Sequence, residues 1–392
     1  MKRILLLIIL LTSISFANIE AKIAKNIGLD ESYLQSNSFK LAYKEFSRPK
    51  IISYYNGLLR KSALNMQITR ELIENKKLPD ELFFIPLIES SYKNQINGKN
   101  SPRGLWQIMP QTGRNLKLTV NESVDERLDL LKSTNAAGTY LKKYYKIFNK
   151  WYLAIMAYNS GEGRVISGLA RASLDRYLEL NPSEQNSAAV KQYKSYINEY
   201  TKTKKGMKNL YIVYERYAKY YDYSYAVKNN HKDYFPKTTI NYINKILVFS
   251  ILNEQNKFSA IDKKSKYNLE AVDAPKGKSL KAIANAIAIN SSEFININKH
   301  IKKDIVPSNV NNLKLNIPHT KLDVYNQKIA NIKINNQVNI KNDRINNIYV
   351  VKAGDTLSQI ASKHNVSTKK LRIIKRKKPN IISVGDEIEI IK

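Results

Sequence analysis

The stretch FFIPLIESSY, Phe83 to Tyr92, places one carboxylic acid, Glu89, among residues that are apolar or small enough to be buried. If the segment is helical, Leu82, Ile85 and Pro86 lie seven, four and three residues before Glu89, on the same stripe as the acid. Desolvation there raises a carboxyl pKa from about 4.3 by up to several units, so the group stays protonated near neutral pH and can donate a proton and take it back. Two further patterns follow, GLWQIMPQTGR (Gly104 to Arg114) and AIMAYNSGEGRV (Ala154 to Val165). Singly, each has a structural explanation. Glu89 could end a helix at the surface, Trp106 could fill a core, and NSGEG could stop a helix, with Asn159 and Gly161 accepting left-handed geometry.

The elements around these patterns read as helical. From about Ile19 to Ala170 apolar residues recur at spacings of three and four with few alternating runs. Ser133 is the expected N-cap of one helix, with Ala137, Leu141, Tyr144, Tyr145 and Phe148 on one side. Residues 181–235 are polar, rich in Tyr and Lys, and also predicted helical. Further on, GKSLKAIANAIAINSSEFININ from Gly277 aligns without a gap with GDTLSQIASKHNVSTKKLRIIK from Gly354, matching Leu280 to Leu357, Ile283 to Ile360, Ala284 to Ala361 and Phe294 to Leu371. Each copy predicts a short strand, a glycine turn, two short helices and a closing strand. Between the copies, 321–347 is rich in Asn and Lys and reads as a linker.

Composition narrows the setting. The 392 residues suffice for two or more domains, and 43% hydrophobic content is that of a folding chain. MKRILLLIILLTSISFAN has two cations, an apolar run from Ile4 to Leu11 and small residues before an expected cut after Ala17, the pattern of a secretory signal. A spanning helix needs roughly 20 apolar residues, which this run lacks. The absence of cysteine excludes disulfides, thiolate metal sites and a lipid-modified N-terminal cysteine. Sixty-five Lys and Arg against 33 Asp and Glu give +32. With an export signal, that charge points to anionic cell wall or the anionic headgroups of a membrane surface, not to nucleic acid. His231, His300, His319 and His364 have no ligand spacing, so neither a metal nor a cofactor is expected.

In their order and spacing the three patterns resemble the lytic transglycosylases of the goose-lysozyme-like fold, specifically the membrane-bound lytic murein transglycosylase D family, over about residues 76–320. The resemblance implies a multidomain protein: a mainly α-helical, lysozyme-like catalytic domain followed by small α+β (βααβ) LysM-type modules. The expected limits are 1–17 signal peptide, 18–75 N-terminal helical segment, 76–256 catalytic domain, 257–320 degenerate LysM-like module, 321–347 linker and 348–392 LysM domain. It implies a periplasmic enzyme acting on peptidoglycan glycan strands, with Glu89 as catalytic acid and base. Glu89 would protonate the oxygen between N-acetylmuramic acid and N-acetylglucosamine. The substrate acetamido group would stabilise the cation, and the carboxylate would then deprotonate the muramic 6-hydroxyl, which closes a 1,6-anhydro ring. A hydrolase on this fold would instead need a second carboxylate, and the next acid, Glu122, lies in the charged stretch NESVDERLD.

By the same resemblance, Gly104, Leu105, Gln107 and Met109 form the cleft wall, Tyr158 and Asn159 bind substrate beside the acid, and Ser90 orients the site. Glu162 is expected to cap its turn or pair with Arg164. In YFPKTTINYINKIL, Thr238 replaces a family glutamate while Tyr242 keeps the aromatic. YVVKAGDTLSQIASKHNVSTKKL resembles a LysM module for N-acetylglucosamine-containing glycans, with Gly354, Asp355, Thr356, Leu357, Pro379, Asn380 and Ile381 forming its sugar groove. Lys375 replaces the familiar asparagine there. The copy at 272–318 keeps Asn298 but has Lys278 for the motif aspartate, which leaves it open as a degenerate sugar binder or a packing domain.

Overall fold

The computed structural model describes residues 19–95, 101–332, 347–351, 355–364, 366–375 and 382–390. These fall into two compact units, one holding the described residues up to Lys276 and Leu280–Ile332, the other containing those from Asn347 onward. The expected signal peptide lies outside the described residues.

The first unit is helical. Its helices are α1 (Asn37–Phe46), α2 (Pro49–Leu59), α3 (Ala63–Lys76), α4 (Ile85–Ser90), α5 (Pro110–Asn115), α6 (Leu130–Phe148), α7 (Trp151–Ser160), α8 (Glu162–Leu180), α9 (Ala188–Thr203), α10 (Met207–Tyr217), α11 (Tyr223–Lys228) and α12 (Lys237–Glu254). The helix expected to be capped by Ser133 is capped four residues earlier, by Asp129. Asp129 accepts from the N–H groups of Leu131 and Lys132, and an aspartate there satisfies two otherwise orphaned donors. Ser133 is instead buried inside α6. Ala137, Leu141, Tyr144 and Phe148 form the buried stripe as the spacing predicts, while Tyr145 stacks on Trp151 with ring centroids 4.2 Å apart.

Helix α7 (WYLAIMAYNS) is apolar all round because it runs through the middle of the core, with Tyr152 to Ala157 buried. Each fully buried Leu, Ile or Met there contributes about 1.5–3 kcal/mol of transfer free energy. Helix α12 packs against α7 and α1, and its Phe249 contacts Phe46, Tyr55, Phe84 and Phe258 edge-on or tilted. The segment expected at 18–75 therefore packs into the same apolar core as the helices that follow it. Tyr33 also donates a 2.8 Å hydrogen bond to Asn244 on α12. Phe258 and Ile261 belong to this core too, so the module that follows begins later than residue 257.

That module pairs β1 (Leu269–Asp273) antiparallel with β2 (Lys314–Pro318), Ala271 opposite Asn316, and places α13 (Leu280–Ala286) and α14 (Ser291–Ile297) between them. The predicted βααβ order holds. Its apolar core is shared with Ile68, Val124 and Leu130 of the helical part. Backbone bonds Asp125 N–H to His300 O (2.8 Å) and Lys302 N–H to Ser123 O (3.0 Å) join them, and Asn316 donates to Asp129 Oδ1 at 3.1 Å. The retained Asn298 is fully buried and exchanges bonds with Asn316, so it serves packing. The linker expectation fails at its start. Leu322–Lys328 forms α15, and Leu322, Tyr325 and Ile329, at helical spacing, turn toward the module core with Tyr325 buried.

In the second unit β3 (Asn347–Val350) and β4 (Leu371–Lys375) both pair antiparallel with a central β5 (Glu387–Ile390), and α16 (Leu357–Lys363) covers them. Buried Ile360 and Ala361 match Ile283 and Ala284 of the other copy, as the internal alignment predicts. The second helix is reduced to a single 3-10 turn, Thr368–Lys370. LRIIK pairs with EIEI instead, placing Ile373 opposite Ile388 and Arg372 3.0 Å from Glu389, because β-branched residues on a half-buried face favour a strand.

Candidate active site

Glu89 is the penultimate residue of α4, a six-residue helix with Pro86 near its start. The helix stops because Ser91 and Tyr92 both adopt left-handed geometry (φ 55° and 57°) and return their N–H groups to Leu87 and Pro86. Ile85, Pro86 and Leu87 are buried, so the stripe around the acid is core as expected. Glu89 itself is half-buried at the edge of a groove of about 430 Å³, whose lining includes Pro102, Gln107, Met109, Tyr140, Tyr158 and Asn159. Burial pushes its pKa up to about 7, against the opposing effect of a 2.8 Å hydrogen bond that Tyr242 donates to its Oε1. Among the described residues lining the groove, Glu89 is the only carboxylate.

The opposite wall is a clamped loop. Gly104 has φ 80°, and a Cβ there would lie 1.9 Å from Arg127 O. The Arg127 guanidinium forms a two-bond fork with Asp125 (2.9 and 2.8 Å) and donates to Ser101 O and Ile108 O, while Arg103 reaches the same carboxylate at 2.9 Å. The charged stretch NESVDERLD thus supplies a buried brace for residues 101–109 rather than a second catalytic acid. Trp106 is core and donates to Thr134 at 2.9 Å.

Of the sequence-predicted residues, Glu89, Gln107, Met109, Tyr158 and Asn159 come together in the groove. Met109 is half exposed there, and Gln107 holds its own loop through a 2.7 Å bond to Gly104 O. Ser90, Gly104 and Leu105 do not contact the groove. All three are buried, and Ser90 donates to Leu105 O at 2.8 Å, joining the acid's helix to the wall loop. The Tyr158 hydroxyl donates to Trp106 O at 2.6 Å, and it is Tyr242 that contacts the acid. Burial first and the Glu89 charge second hold both phenols well above their usual pKa, so both remain donors. Thr239 donates to Asn159 Oδ1 at 2.9 Å, fixing that amide.

Sequence reasoning missed Tyr140, whose ring meets Tyr158 at 5.9 Å; its only signal was the apolar stripe of α6. Glu162 accepts from Tyr211 and lies 3.7 Å from Lys143, not paired with Arg164. In the second unit Asp355 accepts from Tyr349 at 2.8 Å, Thr356 caps α16, and Leu357 packs on its core. Gly354, Pro379, Asn380 and Ile381 lie outside the described residues.

The Transglycosylase SLT domain family matches residues 67–181, a narrower span than the resemblance covers, and the LysM domain family matches 349–390. Thr239 and Tyr242 lie beyond the first match. Membrane-bound lytic murein transglycosylase D of Escherichia coli (strain K12) is 33% identical over 118 residues, 30% of this chain and 26% of that protein, and its namesake from Escherichia coli O6:H1 matches equally. A relative from Alteromonas sp. (strain M-1), named for tributyltin chloride resistance, is 36% identical over 99 residues, 25% of this chain and 48% of its own. The chain thus spans about a quarter of the length of the first two relatives and half of the third. With Glu89 in its groove inside the first match, the chain carries a transglycosylase SLT domain and a C-terminal LysM domain, and part of it is homologous to membrane-bound lytic murein transglycosylase D.

Proposed function

We propose that the protein is a peptidoglycan lytic transglycosylase that cleaves the bond between N-acetylmuramic acid and N-acetylglucosamine and leaves a 1,6-anhydro end. The observation that carries this is a single carboxyl group, raised to about 7, in a groove whose described lining has no second acid. At neutral pH much of Glu89 is protonated and can give its proton to the glycosidic oxygen. The carboxylate left behind then keeps the Tyr242 hydrogen bond, which stabilises it while it draws the proton from the muramic 6-hydroxyl. Internal attack by that hydroxyl needs no base to place a water, whereas hydrolysis would use a second carboxylate about 5–9.5 Å away.

The remaining parts of the proposal concern setting. An export-type N-terminal pattern supports a periplasmic setting, the LysM domain supports attachment to N-acetylglucosamine-containing strands, and the +32 charge of the full chain supports attraction to anionic wall and membrane surfaces. Digestion of purified peptidoglycan in oxygen-18 water tests the reaction. Anhydromuropeptides without label are expected, and labelled reducing ends as the main product would make the enzyme a hydrolase.

A further inference from the structure

Beside the catalytic groove lies a second basin of about 640 Å³, and Ser160 and Gly161 line both. Its walls are the start of α8, the end of α9 and residues 233–237 leading into α12. The contact between α8 and α9 is close: a Cβ on Gly163 would lie 1.9 Å from the Tyr200 hydroxyl, so only glycine lets that phenol close the wall.

Four cations and one acid, Asp233, line the basin, a steeper imbalance than the two to one of the whole chain. The side chains of Arg164 and Lys237 have no hydrogen-bond or ion-pair partner among the described residues, and the acid nearest Arg164 in sequence, Glu162, is taken by Tyr211 and Lys143. Arg171 gives its guanidinium to the backbone carbonyls of Lys232 and Asp233, and Lys204 donates to Thr201 O at 3.2 Å. Backbone carbonyls satisfy these donors without neutralising their charge. A basin left cationic at the end of a sugar groove suits an anionic substituent carried by the sugar.

Resting on the transglycosylase reading, we infer that the basin of Arg164, Arg171, Lys204 and Lys237 binds the free carboxylates of the peptide stem on N-acetylmuramic acid, so the enzyme prefers stem-bearing over stripped glycan. No bond changes there; the basin contributes binding and register only. Exposed charge pairs are individually weak, so the preference is modest and salt-sensitive.

The test compares release of anhydro ends from stem-bearing peptidoglycan and from the same strands stripped of peptide by an amidase, using the full chain. The wild type should favour stem-bearing strands, and Arg164→Gln with Lys237→Gln should lower that ratio about fivefold, with Arg164→Lys restoring part of it. The wild-type preference should also shrink as salt is raised, which tests the basin even if the double variant folds poorly. A ratio equal in wild type and variant, or a preference indifferent to salt, overturns the inference. So does an unchanged ratio with loss of binding to anionic lipid vesicles, which assigns the basin to headgroups. No anhydro product from either substrate contradicts the transglycosylase reading itself, which separates the two failures.

Discussion

At the scale of the residue, the protein turns on how an acid stays protonated at neutral pH. Burial raises Glu89 from about 4.5 to about 7, and the Tyr242 bond holds it below where burial alone would put it. The rate kcat/KM should fall as pH rises through about 7, because the donor form is lost. Tyr242→Phe should move that limb to higher pH and slow the reaction; a limb that stays or moves down would contradict the assignment of Tyr242. Stability follows the same shift. Between about 4.5 and about 7 the unfolded chain has ionised this carboxyl while the folded state keeps its proton, so Glu89 costs stability progressively as pH rises through that window. The acid was legible from the apolar residues around it. Tyr242 was noted only as an aromatic, since its hydroxyl meets Glu89 across 153 residues of chain that no local pattern reports.

At the scale of the element, the groove wall is held by charge buried in the core. Asp125 and Arg127 are almost fully buried and brace the loop that carries Gln107 and Met109. Asp125→Asn leaves two guanidinium groups short of their carboxylate and should cost about 3–5 kcal/mol in urea unfolding. An effect below about 1 kcal/mol would show that the brace is dispensable. Helix positions were legible because periodicity is a local property; α6 and α7 lie where their apolar residues put them. The start of α6 was misread because Ser133 and Asp129 are both good caps; Asp129 takes the role, and it also accepts from Asn316 of the module far along the chain. Leu105 was expected on the cleft wall, but its motif marks the joint between helix and wall, where it is buried and its carbonyl accepts from Ser90.

At the scale of the whole molecule, the two copies of the repeat have different surroundings. The copy at 269–318 shares its core with the catalytic part, and its retained Asn298 is buried. The C-terminal copy forms its own unit. Deleting Ile348 to Lys392 should therefore weaken sedimentation with intact sacculi while leaving turnover of short soluble glycans nearly unchanged; binding that survives the deletion at every salt concentration would refute a wall-anchoring role. The repeat was legible from Leu280, Ile283 and Ala284 against Leu357, Ile360 and Ala361. The fate of each copy was not, because it depends on partners such as Val124 and Leu130 that lie outside the repeat.

The central claim is that one carboxyl group performs both proton transfers, and Glu89→Gln tests it most directly. The amide keeps size and hydrogen bonding but cannot exchange a proton, so anhydromuropeptide release should fall by at least the roughly hundredfold to ten-thousandfold associated with general acid catalysis. Thermal unfolding on the same preparation should show a melting temperature level with wild type near pH 4.5 and above it by pH 7, since the pH-dependent cost of the acid is gone. A folded variant that still releases anhydro ends at a comparable rate would contradict the account.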